Sequence, residues 1–351
     1  MRNKKNLILL PILLALPLSG PSCNLPQNDG GVYKTTDGGE NWKQNVTIES
    51  SKDSLIKTDT DTILADPNNS DVVFLGTRSM GLYVSNQFGD SWKRIVPEVN
   101  SVYALEADPT SKGVFYASVL LNDRGKIIKT ENNGIDWKEI YTETGKGTYI
   151  THIKIDPFNR NTVVAANTEG LLMRSTNGGL TWQALFPFQE SLISLGFDSK
   201  KENNIWVLTQ KGVWHSQNGA SSFDLLTLDP SGEMGSQFYL LKKDRDNLFL
   251  ATERGFFRSR DDGQVWEKIV TLNNPAEFPV RTLEVFPGDN ADKWALGAGM
   301  TLYLTADGGQ NWKPVQFEIS RMVSSVVIKQ DDPNQILVGV AAVKNLGGLG
   351  L

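Results

Sequence analysis

The sequence contains very few of the residues on which many enzymes and metalloproteins depend. There is one cysteine and there are two histidines in 351 residues. A single cysteine excludes a disulfide bond within the chain, and no Cys-x-x-Cys or His-x-x-x-His pair is present to predict a zinc site. Catalysis by a histidine-activated nucleophile would depend on His152 or His215, and both belong to apolar, strand-like segments. We therefore expect no metal and no cofactor.

An excess of basic residues is also missing. Lysine and arginine number 35 against 40 aspartates and glutamates, which gives a formal net charge of −5. Proteins that bind nucleic acid rely on a positive field that neutralises phosphates. We therefore expect no nucleic-acid partner, and any basic site on this protein must be local.

Apolar runs long enough to cross a membrane are absent too. The longest run, residues 7–18, is shorter than the roughly 20 residues that a membrane-spanning helix needs, and it contains two prolines. Basic residues precede the run, and small residues lead from it to Cys23. This order is typical of an export signal.

The segment LSGPSC, which ends at Cys23, resembles the cleavage site of bacterial lipoproteins. That resemblance implies a lipid anchor on Cys23 and a location in the bacterial cell envelope, on the extracytoplasmic side. We predict a signal peptide of the lipoprotein type over residues 1–22, a linker over residues 23–29 and a single folded domain over residues 30–351.

Glycine is plentiful, and much of it lies in a segment that recurs seven times. The copies are TTDGGENW at Thr35, SNQFGDSW at Ser85, TENNGIDW at Thr130, STNGGLTW at Ser175, SQNGASSF at Ser216, SRDDGQVW at Ser259 and TADGGQNW at Thr305. Short apolar segments flank each copy, so each is predicted to be the tip of a β-hairpin. The spacing of about 40 to 50 residues is typical of the four-stranded blades of a β-propeller.

We assign the recurring residues of these tips a structural role. An aspartate or asparagine can accept hydrogen bonds from the turn, glycine permits a positive φ, and the tryptophan can cover the hairpin. The residues concerned are Asp37, Trp42, Trp92, Trp137, Asn177, Trp182, Asp261, Trp266, Asp307 and Trp312.

A second recurring turn, of the Asp-Pro type, precedes each tip after the first and begins at Asp66, Asp108 and Asp156 among others. The chain starts with a tip that has no such turn before it and ends with a turn, at Asp332, that has no tip after it. The two ends therefore complete one blade. We predict an all-β, seven-bladed propeller that is closed by pairing of N- and C-terminal strands.

The tips resemble Asp-box (BNR-type) repeats, whose pattern is S/T-x-D-x-G-x-T/S-W. Proteins with such repeats include photosystem II stability and assembly factors, sortilin-type receptor domains, sialidases and xyloglucan-degrading glycosidases. Seven closely spaced repeats in one domain resemble the assembly factors and the sortilin-type propellers. This resemblance implies a protein that is not an enzyme and that holds a protein partner, such as a membrane-protein subunit.

The alternative is a carbohydrate-active propeller, a glycoside hydrolase or a lectin, that resembles the xyloglucan-degrading enzymes, which usually pair two propellers around a cleft. Glycosidases need two carboxyl groups at the sugar. The upper loops, opposite the tips, supply Asp59, Asp61, Glu143, Glu169, Glu190, Asp229, Glu233 and Glu277 as candidates. A glycan therefore remains a second possible partner.

Basic residues also recur on the side opposite the tips. Loops between the second and third strands of several blades carry one each, and two more begin innermost strands: Arg78, Arg124, Lys211, Arg254, Arg281 and Arg321. Arginine is well suited to bind carboxylates through two parallel hydrogen bonds. We expect these residues to form a rim that binds an acidic surface of a protein partner.

Overall fold

The computed structural model describes residues 28–228 and 232–342, and these form 28 strands and one short 3-10 helix, Leu55–Lys57. The predicted signal peptide, Cys23, most of the predicted linker and Asp229 lie outside the described residues. The proposed domain boundaries therefore stay predictions.

The strands group into seven blades, which are numbered here from the N-terminus. Blade 1 contains β1 (Gly31–Thr35), β2 (Lys43–Gln44), β27 (Met322–Lys329) and β28 (Asp332–Ala341). Blade 2 contains β3 (Thr60–Asp66), β4 (Asn69–Thr77), β5 (Leu82–Ser85) and β6 (Lys93–Ile95). Blade 3 contains β7 (Ser101–Ala107), β8 (Phe115–Leu121), β9 (Arg124–Thr130) and β10 (Lys138–Thr142). Blade 4 contains β11 (Ile150–Ile155), β12 (Val163–Asn167), β13 (Leu171–Ser175) and β14 (Gln183–Pro187).

The remaining three blades follow the same plan. Blade 5 contains β15 (Ser194–Phe197), β16 (Ile205–Thr209), β17 (Gly212–Ser216) and β18 (Asp224–Leu225). Blade 6 contains β19 (Phe238–Asp244), β20 (Asn247–Thr252), β21 (Gly255–Ser259) and β22 (Glu267–Ile269). Blade 7 contains β23 (Val280–Val285), β24 (Trp294–Ala298), β25 (Thr301–Thr305) and β26 (Lys313–Gln316).

Each blade is a four-stranded antiparallel sheet, and the seven sheets confirm the predicted all-β, seven-bladed propeller. Blade 1 has the strand order β2-β1-β28-β27, with Gly31 opposite Val340 and Thr35 opposite Ile336. Strands from the two ends of the chain therefore pair in one sheet, as predicted. Closure in this way leaves no blade-to-blade face of the ring without a partner.

The core consists of seven apolar clusters, each between two neighbouring blades. The second strand of a blade is covered on both faces, which is why β4 reads as an unbroken apolar run and is buried from Val72 to Thr77. Aromatic pairs join the blades; the rings of Phe74 and Phe115 lie 4.2 Å apart, and those of Phe249 and Trp294 lie 5.0 Å apart. Blade-to-blade burial is therefore the main source of stability.

Each of the seven tips contains the same hydrogen bond between a side-chain hydroxyl and a backbone N–H. In the first, Thr35 Oγ1 accepts from the backbone N–H of Gly39 at 3.0 Å, and the serine or threonine of each other tip accepts in the same way at 2.8 to 3.1 Å. The Asp37 carboxylate accepts from the N–H of Asn41 at 2.9 Å, and the Asn177 side chain accepts equivalently from Thr181. These short-range bonds fix each hairpin independently of the others.

The loops divide between two faces of the ring. The tips and the Asp-Pro turns lie at the lower face, because both connect a strand that runs down from the upper face to one that runs back up. The loops between second and third strands, and those between blades, lie at the opposite, upper face. The innermost strand of every blade therefore begins at the upper mouth of the central channel.

Candidate functional site

The upper mouth of the channel is marked by irregular backbone. In six of the seven innermost strands the pairing with the second strand shifts by one residue close to the start of the strand. The residues inserted by these bulges are Asp61, Tyr103, Thr151, Tyr239, Arg281 and Ser324, which we call the bulge ring. Bulges are frequent beside active sites because they redirect a side chain out of the regular pleat. The bulge ring is therefore the candidate functional site.

Asp61 forms the tightest polar contact of the bulge ring. Both of its oxygens accept hydrogen bonds from Arg78, at 3.0 and 3.1 Å from Nε and 2.8 Å from Nη2. Burial raises the pKa of Asp61, and the hydrogen bonds and charge of Arg78 oppose that rise only in part. The result is a carboxylate of fixed orientation with a higher proton affinity than an exposed aspartate.

Aromatic rings occupy two other positions at the mouth. Tyr103 stacks on Tyr149, which precedes β11, with ring centroids 3.9 Å apart and planes 17° apart. Tyr239 lies 5.1 Å from the guanidinium carbon of Arg281, and its hydroxyl donates to Gln237 Oε1. All four of these side chains are partly exposed. The mouth therefore combines flat apolar faces with charged groups.

Deeper in the channel, ion pairs connect neighbouring innermost strands. Lys154 binds Glu106 at 2.7 Å, and Lys242 binds Glu284 at 2.6 Å. Beside them is a cavity of about 480 Å³, which opens next to Gly196 of the short strand β15. These ion pairs tie neighbouring blades together.

The two histidines are structural. Burial lowers the pKa of His152 to about 4, so this side chain is neutral at physiological pH. His215 stacks on Trp206 at 3.7 Å, and its Nε2 lies 2.9 Å from Asn204 Oδ1. Neither histidine is one of the six bulge-ring residues, although His152 Nδ1 lies 2.9 Å from Oγ1 of the bulge residue Thr151.

A charged cluster beside the mouth connects the two ends of the chain. Asp29 accepts from Arg321 Nε at 3.0 Å and from the Ser320 hydroxyl at 2.7 Å, while Asp59 bonds to Arg321 and accepts from Ala342 N–H. Burial raises the pKa of Asp29, but these hydrogen bonds outweigh it, so the pKa lies below its usual value. We call Asp29, Asp59, Ser320 and Arg321 the closure cluster.

The six predicted rim cations lie on the upper side but do not form a uniform positive rim. Arg78 and Arg321 are ion-paired, with Asp61 and with Asp29 and Asp59 respectively. Of the other four, Arg124, Lys211 and Arg254 are exposed, and Lys211 lies 3.9 Å from Glu190. Arg281 is partly buried. Whether any of these residues binds a partner stays a prediction.

Several upper-loop carboxylates have structural partners. Glu143 is buried and accepts from Asn167 Nδ2 at 3.0 Å, and Glu169 accepts from the Thr148 hydroxyl. Glu253 accepts from two successive backbone N–H groups, those of Ser236 and Gln237. Within the described residues, no group of three histidine, cysteine, aspartate or glutamate side chains is arranged to hold a metal ion.

Sequence reasoning named Asp61 and Arg281 but missed the tyrosines of the bulge ring. A signal was present, because Asp61, Tyr103, Thr151 and Tyr239 each stand five residues before the aspartate of the next turn. The strand patterns alone did not reveal it, since a bulge breaks the alternation by which strand faces are assigned.

The comparisons with known proteins support the fold and bear on the chemistry. No protein family model matches the chain. The chain is 23% identical over 278 residues to xyloglucanase Xgh74A of Acetivibrio thermocellus, which covers 69% of this chain and 29% of that protein. It therefore spans less than a third of the length of this relative.

Solved structures of three kinds share the fold. The GH74 xyloglucanase of Xanthomonas campestris has a TM-score of 0.69 at 14% identity, covering 81% of this chain and 51% of that one. YCF48 bound to D1 peptide has a TM-score of 0.57 at 15% identity, and the match covers 81% of this chain and 93% of that one. The extracellular domain of a hybrid two component system protein of B. thetaiotaomicron has a TM-score of 0.58 at 10% identity, covering 81% and 39%.

These comparisons correct one expectation from the sequence. We expected a protein that is not an enzyme, and that expectation is wrong, because the sequence relative and the structural neighbour of highest TM-score among these are both xyloglucanases. Blade number and repeat spacing could not have separated the two classes, since one fold hosts unrelated activities. Within residues 28–228 and 232–342, no helix is long and apolar enough to span a membrane.

Proposed function

We propose that this protein is a carbohydrate-active propeller that holds a β-glucan of the xyloglucan kind across the upper mouth of its channel. The observation that carries the proposal is the bulge ring, which brings tyrosine rings and an oriented carboxylate to one opening. Sugar sites combine aromatic faces, against which the rings pack, with a few fixed polar groups. The likeness to xyloglucanases in sequence and in fold supports the same class of ligand.

Within this proposal, Asp61 is the general base that takes a proton from the attacking water in glycoside hydrolysis, and a second carboxyl group among the upper-loop candidates gives a proton to the departing sugar oxygen as the glycosidic bond breaks. An effective base has a raised pKa but remains ionised at the working pH. Burial raises the pKa of Asp61, and the paired guanidinium of Arg78 favours its ionised form and fixes its direction. A carboxylate held in this way suits the abstraction of a proton from water on one face of a sugar.

The test compares Asp61→Asn with Asp123→Asn, an exposed carboxylate on the upper loop between β8 and β9. Wild type should bind a xyloglucan oligosaccharide in calorimetry and release reducing ends from xyloglucan. Asp61→Asn should bind within about twofold but release reducing ends about a hundredfold more slowly, whereas Asp123→Asn should match wild type. Binding without any release would contradict the base role, and the absence of both would contradict the proposal.

A second candidate function is the capture of a protein partner, such as a membrane-protein subunit. It is favoured by the structure of YCF48 bound to D1 peptide, because the match covers 93% of that YCF48 chain. Arg124 and Arg254 are exposed on separate upper loops and could meet an acidic segment. A protein that co-purifies with the chain, but not after reversal of these two charges to glutamate, would support this candidate.

The location and the repeat class are part of the proposal. We place the protein outside the cytoplasm, in the bacterial cell envelope, with a lipid on Cys23; the export-type N-terminus and the extracellular neighbour support this. We also assign the tips to the Asp-box class. Their shared hydroxyl-to-backbone bond and their side-chain acceptors support that assignment.

A further inference from the structure

Arg281 of the bulge ring is a partly buried cation without a polar partner. The other cations at the mouth and in the channel are matched by carboxylates: Arg78 by Asp61, Arg321 by Asp29, Lys154 by Glu106 and Lys242 by Glu284. Among the described residues, Arg281 has no hydrogen bond and no ion pair, and its Nε is fully buried. It makes a cation–π contact with the ring of Tyr239, whose centroid is 5.1 Å from the guanidinium carbon.

An unmatched buried charge is unfavourable, because desolvation is not offset by hydrogen bonds. Burial accordingly lowers the pKa of Arg281, although a guanidinium still keeps its proton at neutral pH. The bulge between Val280 and Thr282 is what directs this side chain away from the regular pleat. The arrangement therefore costs stability in the free protein, and an anion at the Nη groups, which are not among the buried unpaired atoms, would offset that cost.

The chemistry of the anion follows from the group that would bind it. A guanidinium presents paired N–H donors in a plane, which fits the two oxygens of a carboxylate. The ring of Tyr239 lies on one side of the guanidinium, with its centroid 5.1 Å from the guanidinium carbon. Phe278, three residues upstream, packs over Gly299 and keeps 43% of its surface exposed, which offers an apolar face on the same blade.

We infer that Arg281 binds the carboxylate of a uronic acid residue carried by the glycan. This inference rests on the proposed function for the sugar part of the ligand, and on the unpaired guanidinium for the acid part. It extends the substrate class from neutral glucans to glycans that bear acidic residues. Arg281 is then a specificity-determining residue at the edge of the site that contains Asp61.

The probe is sodium glucuronate, with glucose and acetate at equal ionic strength as comparisons. The Nε–H resonance of Arg281 is followed by NMR during titration of the full chain. Glucuronate should shift it saturably, glucose should not, and acetate should bind about tenfold more weakly, because it lacks the sugar contacts. Acetate binding as tightly as glucuronate would overturn the inference.

Variants of Arg281 distinguish the contribution of its paired N–H donors from that of its positive charge. Arg281→Gln should weaken glucuronate binding about tenfold or more, and Arg281→Lys should weaken it less, because it keeps the charge but loses the paired donors. Arg260→Gln, at an exposed cation in the lower-face tip of the neighbouring blade, is the matched control and should bind as wild type does. Unchanged glucuronate binding by Arg281→Gln would overturn the inference.

Two further measurements, the melting temperature and the affinity for a neutral oligosaccharide, distinguish failure of this inference from failure of the proposed function. The melting temperature of Arg281→Gln should be no lower than that of wild type, because the variant removes an unmatched buried charge; a clear fall would mean that the guanidinium is structurally paired. Arg281→Gln should also weaken the binding of glucuronate by a larger factor than the binding of a neutral xyloglucan oligosaccharide, because only glucuronate carries the carboxylate. If wild type binds that oligosaccharide but not glucuronate, this inference fails alone; if it binds glucuronate only, the proposed function fails.

Discussion

Trp92 differs from the other tip tryptophans because the loop between blades 1 and 2 covers it. Its side chain is fully buried, and its Nε1 donates to Asn45 O at 3.0 Å. The tryptophan of the fourth tip, Trp182, is only partly buried and donates to Gly179 O within its own turn. The same residue at the same repeat position therefore performs two different packing tasks.

This difference predicts unequal costs of truncation. Trp92→Ala should lower the free energy of unfolding by about 3 to 5 kcal/mol, as large buried aromatics do. Trp182→Ala should lower it by about 1 to 2 kcal/mol, because less apolar area leaves water on folding. Denaturant unfolding of both variants measures the two values, and equal losses would contradict the assigned burial.

Single residues also show where sequence reasoning stops. The hydrogen bonds that the threonine and the aspartate of the first tip make are local, because they join residues at most four positions apart; a sequence pattern can therefore predict them. The pairing of Arg78 with Asp61 was not predicted, although the sequence singled out both residues. No local rule relates a loop arginine to a strand residue 17 positions away. Charges that seemed free in the sequence are therefore compensated in the fold.

At the scale of the element, the tip hairpin is specified by its own side chains. Tips with aspartate and tips with asparagine make the same bonds: Asp307 accepts from Asn311 N–H at 2.9 Å, and Asn177 accepts from Thr181 N–H at 2.9 Å. The two residue types differ in charge. Hydrogen bonds from the backbone and side chain of Asn311 and from the hydroxyl of Thr305 lower the pKa of Asp307 to about 2, from an ordinary value of 3.8.

A depressed pKa makes the stability of this tip depend on pH. The contribution of Asp307 is complete above its unfolded pKa of about 4 and is lost as the pH falls through its folded pKa of about 2. Asp307→Asn should therefore melt like wild type at pH 7 but lose less of its melting temperature between pH 4 and pH 2. The reciprocal variant, Asn177→Asp, should titrate with a depressed pKa by NMR. A normal pKa in that variant would show that the two tips are not equivalent.

The innermost strands are the elements that the sequence described least completely. Their apolar positions were recognised, but not the bulges that redirect Tyr103, Tyr239 and Arg281 towards the upper mouth. A bulge depends on the register between two strands, and that register is set by packing across the whole blade. The candidate site was consequently only partly predictable, whereas the blades themselves followed from repeat spacing.

At the scale of the whole molecule, the ring is held closed by more than strand pairing. The incomplete repeats at the two ends of the chain predicted blade 1 correctly. The N-terminal one has a tip without an Asp-Pro turn, and the C-terminal one has a turn without a tip, so together they form one blade. The closure cluster was not foreseen as such. Arg321 and Asp29 are 292 positions apart, and they become neighbours only when the ring closes.

The closure cluster leads to a prediction about the stability of the ring. The side chains of Arg321, Asp29 and Asp59 are only 14%, 3% and 12% exposed, so Arg321→Met would leave two carboxylates without their shared cation. Breaking a buried pair from one side is strongly destabilising, and we expect a loss of about 3 to 5 kcal/mol in the free energy of unfolding. Denaturant unfolding measures the loss, with Arg254→Met, at an exposed upper-loop arginine, as the control expected to resemble wild type.

The position of the damage distinguishes closure from a general loss of stability. Asp29 lies two residues before β1, and Ser320 and Arg321 lie directly before β27, so the cluster ties one strand from each end of the chain together in blade 1. In Arg321→Met, amide hydrogen exchange should therefore accelerate first in β1 and β27, at denaturant concentrations where blades 4 and 5 remain protected. Uniform acceleration in all blades, or stability equal to that of Arg254→Met, would show that strand pairing alone closes the ring.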